Sequence, residues 1–327
     1  MRQVEPEQLT LFDLGPDMAG IRRRAAELRR LIRARSTVIA YESAWRSFEA
    51  WCASAGRASL PASGETLALY VAARLEAGRR ATGLEQHVAA IAFRHRSDGL
   101  AMPDRTEVRA VIAGAKRAAS GSGFAAGKAA LSAGELRRIC GRLVRDGGVV
   151  ALRDRAVLCL GFASGLRRSN LANLDLADVR FERRGLVVAV RRSKTDQEGR
   201  GVDLGILRGV RPDTCPVRAL RAWLVERGPW EGPLFSRVRV GGVVTRDRLS
   251  TDAVARIVQA AVSSIGLDAR RYGAHSLRAG FATAAADQGA TAFEIMRVTQ
   301  HRSIAMVQRY VRHTEVFPRR SPLGRAV

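Results

Sequence analysis

The sequence is short of acidic residues, paired cysteines and long apolar runs. Only 31 of its 327 residues are Asp or Glu, against 55 Lys or Arg, so the formal net charge is +24. The four cysteines are far apart and form no CxxC or Cys/His pattern, which argues against a disulfide framework or structural zinc and predicts reduced core residues. No apolar run is long enough to span a bilayer, and residues 1–20 lack the order of a signal peptide. We therefore expect a cytoplasmic protein with no membrane partner.

The excess of positive charge is the strongest feature of the composition. Such an excess favours a polyanionic partner, because Lys and Arg release counterions when they contact phosphates. Hydrophobic residues make up 46% of the chain, which is typical of a folded protein. The composition predicts a nucleic-acid-binding protein. An RNA binder of the ribosomal type and a merely soluble basic surface remain the alternatives at this point.

The length favours two domains, and the sequence pattern predicts their boundaries. Residues 21–118 show four short helical patterns with scattered Arg and Lys, and residues 119–128 are Gly- and Ser-rich and lack periodicity, as in a flexible linker. Residues 129–315 form the second domain. Residues 1–20 and 316–327 are predicted to be tails.

The predicted fold class is mainly α with a small β-hairpin or sheet. Helix starts are indicated by the Ser132–Glu135 capping box and by Pro61 and Pro216, with Asp213 or Thr214 as the expected cap of the helix at Pro216.

Two strands are expected in the second domain. The segments 185–190 and 201–206 are apolar or alternating, and turn-forming residues lie between them, so they predict a β-hairpin with Lys194 near its tip. The first domain is thus expected to be all-helical and the second mixed α/β.

One constellation of residues points to chemistry on a phosphodiester. The sequence HSLRAGFAT occupies residues 275–283, QHRS occupies 300–303, and a lone tyrosine follows at Tyr310; Arg167 and Lys194 lie upstream. A phenol is a weak nucleophile at neutral pH because its pKa is near 10, so it needs a base and a cationic pocket. Arginine suits a phosphate clamp because its planar fork donates two parallel hydrogen bonds.

The spacing of these residues supports one site. His275 and Arg278 are three residues apart and would project from one face of a helix. His301 and Tyr310 flank a turn and a helix, which is close enough for them to converge. Lys194 at a hairpin tip could reach a minor groove and donate a proton to a leaving oxygen.

Five elements in series carry a resemblance to a known family. The segments GLRRSNL, SKTDQ, HSLRAGFAT and QHRS, followed by Tyr310, resemble the tyrosine recombinases, the phage-integrase family, over roughly residues 130–315. The resemblance implies a catalytic domain here and a helical, SAM-like core-binding domain before the linker. It implies no metal or other cofactor.

The resemblance also implies a role for each residue. Arg167 and Arg278 would clamp the scissile phosphate, and His301 would hydrogen-bond one of its oxygens.

The same resemblance implies which residues are the nucleophile, the base and the acid. Tyr310 would form a 3′-phosphotyrosine bond, His275 would accept the tyrosine proton, and Lys194 would protonate the leaving 5′ oxygen.

The resemblance further implies an assembly. The partner would be double-stranded DNA with inverted-repeat core sites, bound by dimers that form a homotetramer and exchange strands through a Holliday junction. The tail from about residue 316 would pack on a neighbouring protomer. Such a protein would be encoded by a bacterium, a phage or a mobile genetic element and would act at the nucleoid. The short N-terminus makes a simple recombinase the expectation rather than an enzyme with a separate arm-binding domain.

Two positions depart from the family pattern. Asn170 stands where an acidic residue is common, so it can orient Arg167 without supplying a countercharge, and Gln300 replaces a glycine before His301. Two other functions remain open: a type IB-like topoisomerase, and a non-catalytic DNA-binding protein on the same scaffold.

Overall fold

The computed structural model of this chain describes residues 20–21, 24, 35–121, 128–191, 201–301 and 303–311. The chain divides into two compact units, Met1–Ala125 and Ala126–Val327. Helices dominate both, and the strands lie in the second, as the predicted fold class requires. None of the described helices is both long and apolar enough to cross a bilayer.

The described elements of the first unit are all helices, joined by short loops. Its helices are α1 (Arg35–Ser54), α2 (Gly64–Glu76), α3 (Ala81–Ser97) and α4 (Thr106–Gly121). Phe48, Leu67 and Ile91 are buried in its core. The helix predicted to start at Pro61 begins at Gly64 instead, because the Ser63 side chain accepts a hydrogen bond from the Thr66 N–H and caps it there.

The last helix of this unit is longer than predicted. Helix α4 continues to Gly121, which lies inside the segment 119–128 that the sequence predicts to be a linker. The remaining linker residues up to 127 lie outside the described part of the chain.

The second unit combines helices with two small sheets. Its helices are α5 (Ala133–Asp146), α6 (Gly148–Ser164), α7 (Arg168–Asn173), α8 (Pro216–Arg227), α9 (Thr251–Ser263), α10 (His275–Asp287), α11 (Ala292–Thr299) and α12 (Ile304–Val311). Its strands are β1 (Val179–Phe181), β2 (Gly185–Val190), β3 (Val202–Leu207), β4 (Ser236–Val238) and β5 (Val244–Arg248). Single 3₁₀ turns occupy Leu176–Asp178 and Ala269–Arg271.

The predicted hairpin is present, but it belongs to a three-stranded antiparallel sheet. Strand β2 pairs with β3 in the register Val188↔Leu204, and β1 pairs with the other edge of β2. The sequence did not predict β1, since three residues are too short to show alternation. One face of β2 and β3 packs on the core through Leu186, Val188, Val190, Leu204 and Ile206.

Helix α6 lies at the centre of this core. Its apolar residues are buried along most of its length, and it follows α5, whose start carries the predicted Ser132–Glu135 capping box. Helix α6 ends at Ser164, and Gly165 takes the left-handed conformation with φ 56° and ψ 20°. Glycine favours this conformation because it has no Cβ to crowd the following carbonyl oxygen.

The cap expected for α8 was wrong. Pro216 does begin the helix, but the N-cap is Cys215, which makes no side-chain cap hydrogen bond. Asp213 instead accepts a hydrogen bond from the Thr214 N–H at 3.1 Å. Cys215 is fully buried, so packing rather than capping chemistry determines which residue precedes the helix.

All four cysteines are free and buried, as the sequence predicts. The Sγ atoms of Cys140 and Cys159 are 3.5 Å apart. The hydrogen bond with Cys140, followed by burial, raises the pKa of the Cys159 thiol well above its usual value. These thiols therefore pack as small hydrophobic groups.

Candidate active site

The turn after α6 connects two of the predicted site residues. The carbonyl of Gly165 accepts a hydrogen bond of 2.7 Å from Nη1 of Arg278, and Arg167 follows two residues later as the N-cap of α7. A Cβ at Gly165 would lie 3.0 Å from both Phe281 Cδ1 and Thr299 Cγ2. The left-handed conformation and these two tight contacts therefore both favour glycine at this position.

Helix α10 carries His275 and Arg278 as expected. His275 is its first residue, and Arg278 follows one turn later, only 3% exposed. Two close approaches hold the helix in place. A Cβ at Gly280 would be 2.0 Å from the carbonyl oxygen of Leu131, and one at Gly161 would be 2.8 Å from Leu277 Cδ1.

The turn after α11 contributes Gln300 and His301 to the site, beside Arg167 and Arg278. Gln300 is left-handed with φ 55° and ψ 42°, at the position where the family pattern has glycine. Its carbonyl accepts a hydrogen bond from Nη2 of Arg167 at 3.3 Å. Nε2 of the next residue, His301, accepts a hydrogen bond from Nε of Arg278, also at 3.3 Å. Arg167, Arg278 and His301 thus converge on one pocket.

Burial and the positive charges of the site together determine the charge of His301. Burial, followed by the positive charges of Arg278 and Arg167 and by the neighbouring His275, lowers the pKa of His301 to about 4. The ring is therefore neutral at pH 7. A site with two guanidinium groups and two imidazoles can stabilise a developing negative charge, such as that of a pentacoordinate phosphate.

His275 lies near Arg278, Arg167 and His301, as the electrostatic interactions among them show. The residue as a whole is exposed, yet partial burial of its ring is the largest cause that lowers its pKa, followed by the charges of Arg278 and Arg167. Its imidazole is neutral at pH 7 and can accept a proton.

Two of the six predicted site residues lie at the limits of what the structure describes. Lys194 follows β2 within residues 192–200, outside the described residues. Tyr310 lies on α12, which begins three residues after His301, and only its backbone is described. The structure therefore brings together Arg167, His275, Arg278 and His301.

Arg167 and Asn170 both make hydrogen bonds near the start of α7. Nη2 of Arg167 donates to the carbonyl of Gln300, and the buried Asn170 accepts a hydrogen bond at Oδ1 from the Ser169 hydroxyl at 3.4 Å. The sequence gave no signal for Thr299, whose hydroxyl contacts Nδ1 of His301 at 2.8 Å. Among the described residues, no group of three or more His, Cys, Asp or Glu side chains is arranged to hold a metal ion.

Comparison with known proteins decides the family. The model of the phage integrase family matches residues 130–316, more than half of the chain. This chain belongs to the phage integrase family. An integrase/recombinase xerD homolog of Selenomonas ruminantium is 34% identical over 295 residues, covering 87% of this chain and 84% of the relative. The recombinase cre of Escherichia phage P1 is 25% identical over 289 residues, covering 84% of this chain and 82% of that protein.

Solved structures of other phage integrase family members share the fold. A lambda integrase (75–356) dimer bound to a COC′ core site matches with a TM-score of 0.59 at 18% identity, covering 92% of this chain and 97% of that one. A XerH site-specific recombinase bound to a palindromic difH substrate matches with a TM-score of 0.55 at 16% identity, covering 76% and 69%. The family and its relatives identify this enzyme as a site-specific recombinase of the tyrosine type.

Proposed function

We propose that this recombinase cleaves and rejoins double-stranded DNA through a 3′-phosphotyrosine intermediate formed on Tyr310. The observation that carries the proposal is the convergence of Arg167, Arg278 and His301, fixed by the carbonyls of Gly165 and Gln300. The two guanidinium groups would clamp the non-bridging oxygens of the scissile phosphate, and His301 would hydrogen-bond one of them.

The remaining groups would move protons. The phenolic oxygen of Tyr310 attacks phosphorus and its proton passes to His275, whose lowered pKa keeps it neutral and able to accept it. The bond between phosphorus and the 5′ oxygen breaks, and Lys194 protonates the departing 5′-hydroxyl. In the reverse step, the 5′-hydroxyl of a partner strand attacks the phosphotyrosine and releases Tyr310, so the phosphoester bond is conserved without a nucleotide fuel.

The proposed partner is DNA with inverted-repeat core sites. The net charge of +24 suits a polyanion, and relatives with this fold were solved on core-site DNA and on a Holliday junction. In the proposed arrangement residues 21–118 form a core-binding domain, 119–128 a linker and 129–315 the catalytic domain. Dimers join into a tetramer, with the tail 316–327 packing on a neighbouring protomer. The proposed setting is the nucleoid in a bacterial cytoplasm.

A nicked suicide substrate tests the nucleophile. Because phenylalanine lacks the attacking oxygen, Tyr310→Phe should abolish covalent attachment to DNA while binding is retained. Denaturing gels measure attachment and a mobility shift measures binding. Tyr41→Phe, a change in the first unit, is the matched control and should attach like the wild type. Persistent attachment by Tyr310→Phe would show that another residue is the nucleophile.

A plasmid assay separates recombination from relaxation. The proposed enzyme should recombine a plasmid with two core sites and leave a supercoiled plasmid without a site unchanged. Relaxation of the plasmid without a site would instead support the topoisomerase reading. DNA binding with neither reaction would support a non-catalytic protein.

A further inference from the structure

Thr299, the last residue of α11, contacts the His301 ring at Nδ1. Thr299 is 1% exposed, and its hydroxyl donates a hydrogen bond of 2.6 Å to the carbonyl of Ile295, four residues earlier. The same oxygen lies 2.8 Å from Nδ1 of His301. A hydroxyl has a single hydrogen, so once it donates to Ile295 it can only accept from the ring. Nδ1 of His301 must then carry a hydrogen.

The contact at Nε2, on the opposite side of the ring, selects the same tautomer of His301. Nε of Arg278 points at Nε2 of His301 from 3.3 Å, and a guanidinium can donate but cannot accept. Nε2 must therefore present its lone pair in the DNA-free protein. Both contacts select the neutral tautomer with the hydrogen on Nδ1.

We propose that Thr299 is a positioning residue for the strand-cleavage reaction. Its hydroxyl accepts the Nδ1 hydrogen of His301, which aims Nε2 into the pocket and supports the imidazolium that forms when phosphate binds. The inference rests on the proposed function, because it needs a phosphate at His301. Thr299 itself touches no reacting atom and acts through the ring.

The charges around His301 explain why this support matters. Arg278 and His275 face the ring from α10 and Arg167 faces it from the start of α7, so protonation is unfavourable in the empty pocket. A bound phosphodiester supplies negative charge and favours the charged ring. Nε2 then takes up one proton from solvent, keeps it and donates a hydrogen bond to a phosphate oxygen, while the Nδ1 hydrogen still donates to the Thr299 hydroxyl.

The first experiment removes the hydroxyl and keeps the shape. Cleavage of a suicide substrate by Thr299→Val should slow by about tenfold to a hundredfold, as expected for a lost hydrogen bond to a charged group. Thr299→Ser should recover most of the rate. Ser97→Ala removes a similar bond to a carbonyl four residues earlier, from a helix end in the first unit, and should leave the rate unchanged. A wild-type rate for Thr299→Val would overturn the proposal.

Two readouts separate positioning from a general loss of structure. In Thr299→Val the high-pH limb of the cleavage profile should move down by about one pH unit, because the imidazolium loses its acceptor. In the His301→Ala background, adding Thr299→Val should have little further effect. An unchanged pH profile, or an equal loss in both backgrounds, would show a purely structural role.

Nuclear magnetic resonance tests the contact without DNA or turnover. The ¹⁵N signals of His301 in the wild-type protein should show hydrogen on Nδ1, and Thr299→Val should weaken that preference, leaving only the part that Arg278 imposes at Nε2. Hydrogen on Nε2 in the wild type would overturn the proposal. This measurement stands apart from the proposed function, which fails if the wild type never attaches to DNA while the tautomer is still observed.

Discussion

Two adjacent arginines follow the turn at Gly165, and their surroundings give them different roles. Arg167 is half-buried and donates to the carbonyl of Gln300. Arg168 pairs with Asp252 at 3.1 Å, and these side chains are 47% and 72% exposed. An ion pair so exposed contributes little to stability, since solvent screens it. Only Arg167 is held in one orientation toward His301 and Arg278.

This difference predicts a sharp contrast between two conservative changes. Arg167→Lys keeps the charge but loses the planar fork that can hold both the Gln300 carbonyl and a phosphate, so covalent attachment should slow by about a hundredfold or more. Arg168→Lys should stay within about threefold of the wild type. Single-turnover attachment rates at saturating protein measure both. Equal rates for the two variants would remove Arg167 from the site.

At the scale of elements, the active site depends on how closely α10 approaches its neighbours. The N–H of Leu131 donates to the carbonyl of Ser276 at 3.0 Å, and that of Ala129 donates to the carbonyl of Arg271 at 2.7 Å. The chain entering α5 is therefore fastened to the start of the helix that carries His275. Gly280 makes this possible, because any Cβ there would overlap the Leu131 carbonyl.

A pair of glycine substitutions tests this contact. Gly280→Ala should lower the free energy of unfolding by about 1 to 3 kcal/mol, as overpacking does, and should slow cleavage because α10 must move. Gly114→Ala, in α4 with nothing within 4 Å of its added Cβ, should instead raise stability by about 0.5 to 1 kcal/mol.

Thermal denaturation and suicide-substrate cleavage measure the two effects. If Gly280→Ala changed neither the free energy of unfolding nor the cleavage rate, the backbone at Leu131 would be able to move away from the added Cβ at no energetic cost.

At the scale of the whole molecule, the excess of 24 positive charges governs the encounter with DNA. Each phosphate neutralised by Lys or Arg releases counterions, so affinity depends steeply on salt. Specificity must come from other contacts, because phosphates carry no sequence information.

Salt titration of the intact protein follows from this charge. Affinity for a core site should fall by about a thousandfold or more between roughly 50 and 200 mM salt, as for six or more phosphate contacts. Fluorescence anisotropy measures it. Tyr310→Phe, which changes no charge at neutral pH, should give the same slope, and a slope near zero would contradict an electrostatic mode of binding.

The sequence by itself determined the features that depend on neighbours within one helical turn. The capping box at Ser132–Glu135 and the three-residue spacing of His275 and Arg278 act locally, so the pattern predicts them. The fold class was predicted from local periodicity as well, whereas the family was inferred from the order of five motifs along the second domain.

Only the tertiary structure decided which distant groups meet. Arginine side chains are mostly exposed in proteins, yet Arg227 is fully buried and its guanidinium donates to the carbonyls of Gly228, Trp230 and Pro233. Arg167 reaches the carbonyl of Gln300, 133 residues away, and Thr299 holds His301. Backbone carbonyls are present at every residue, so no pattern of side chains reveals which one an arginine will find. Packing of α6, α10 and α11 makes that choice.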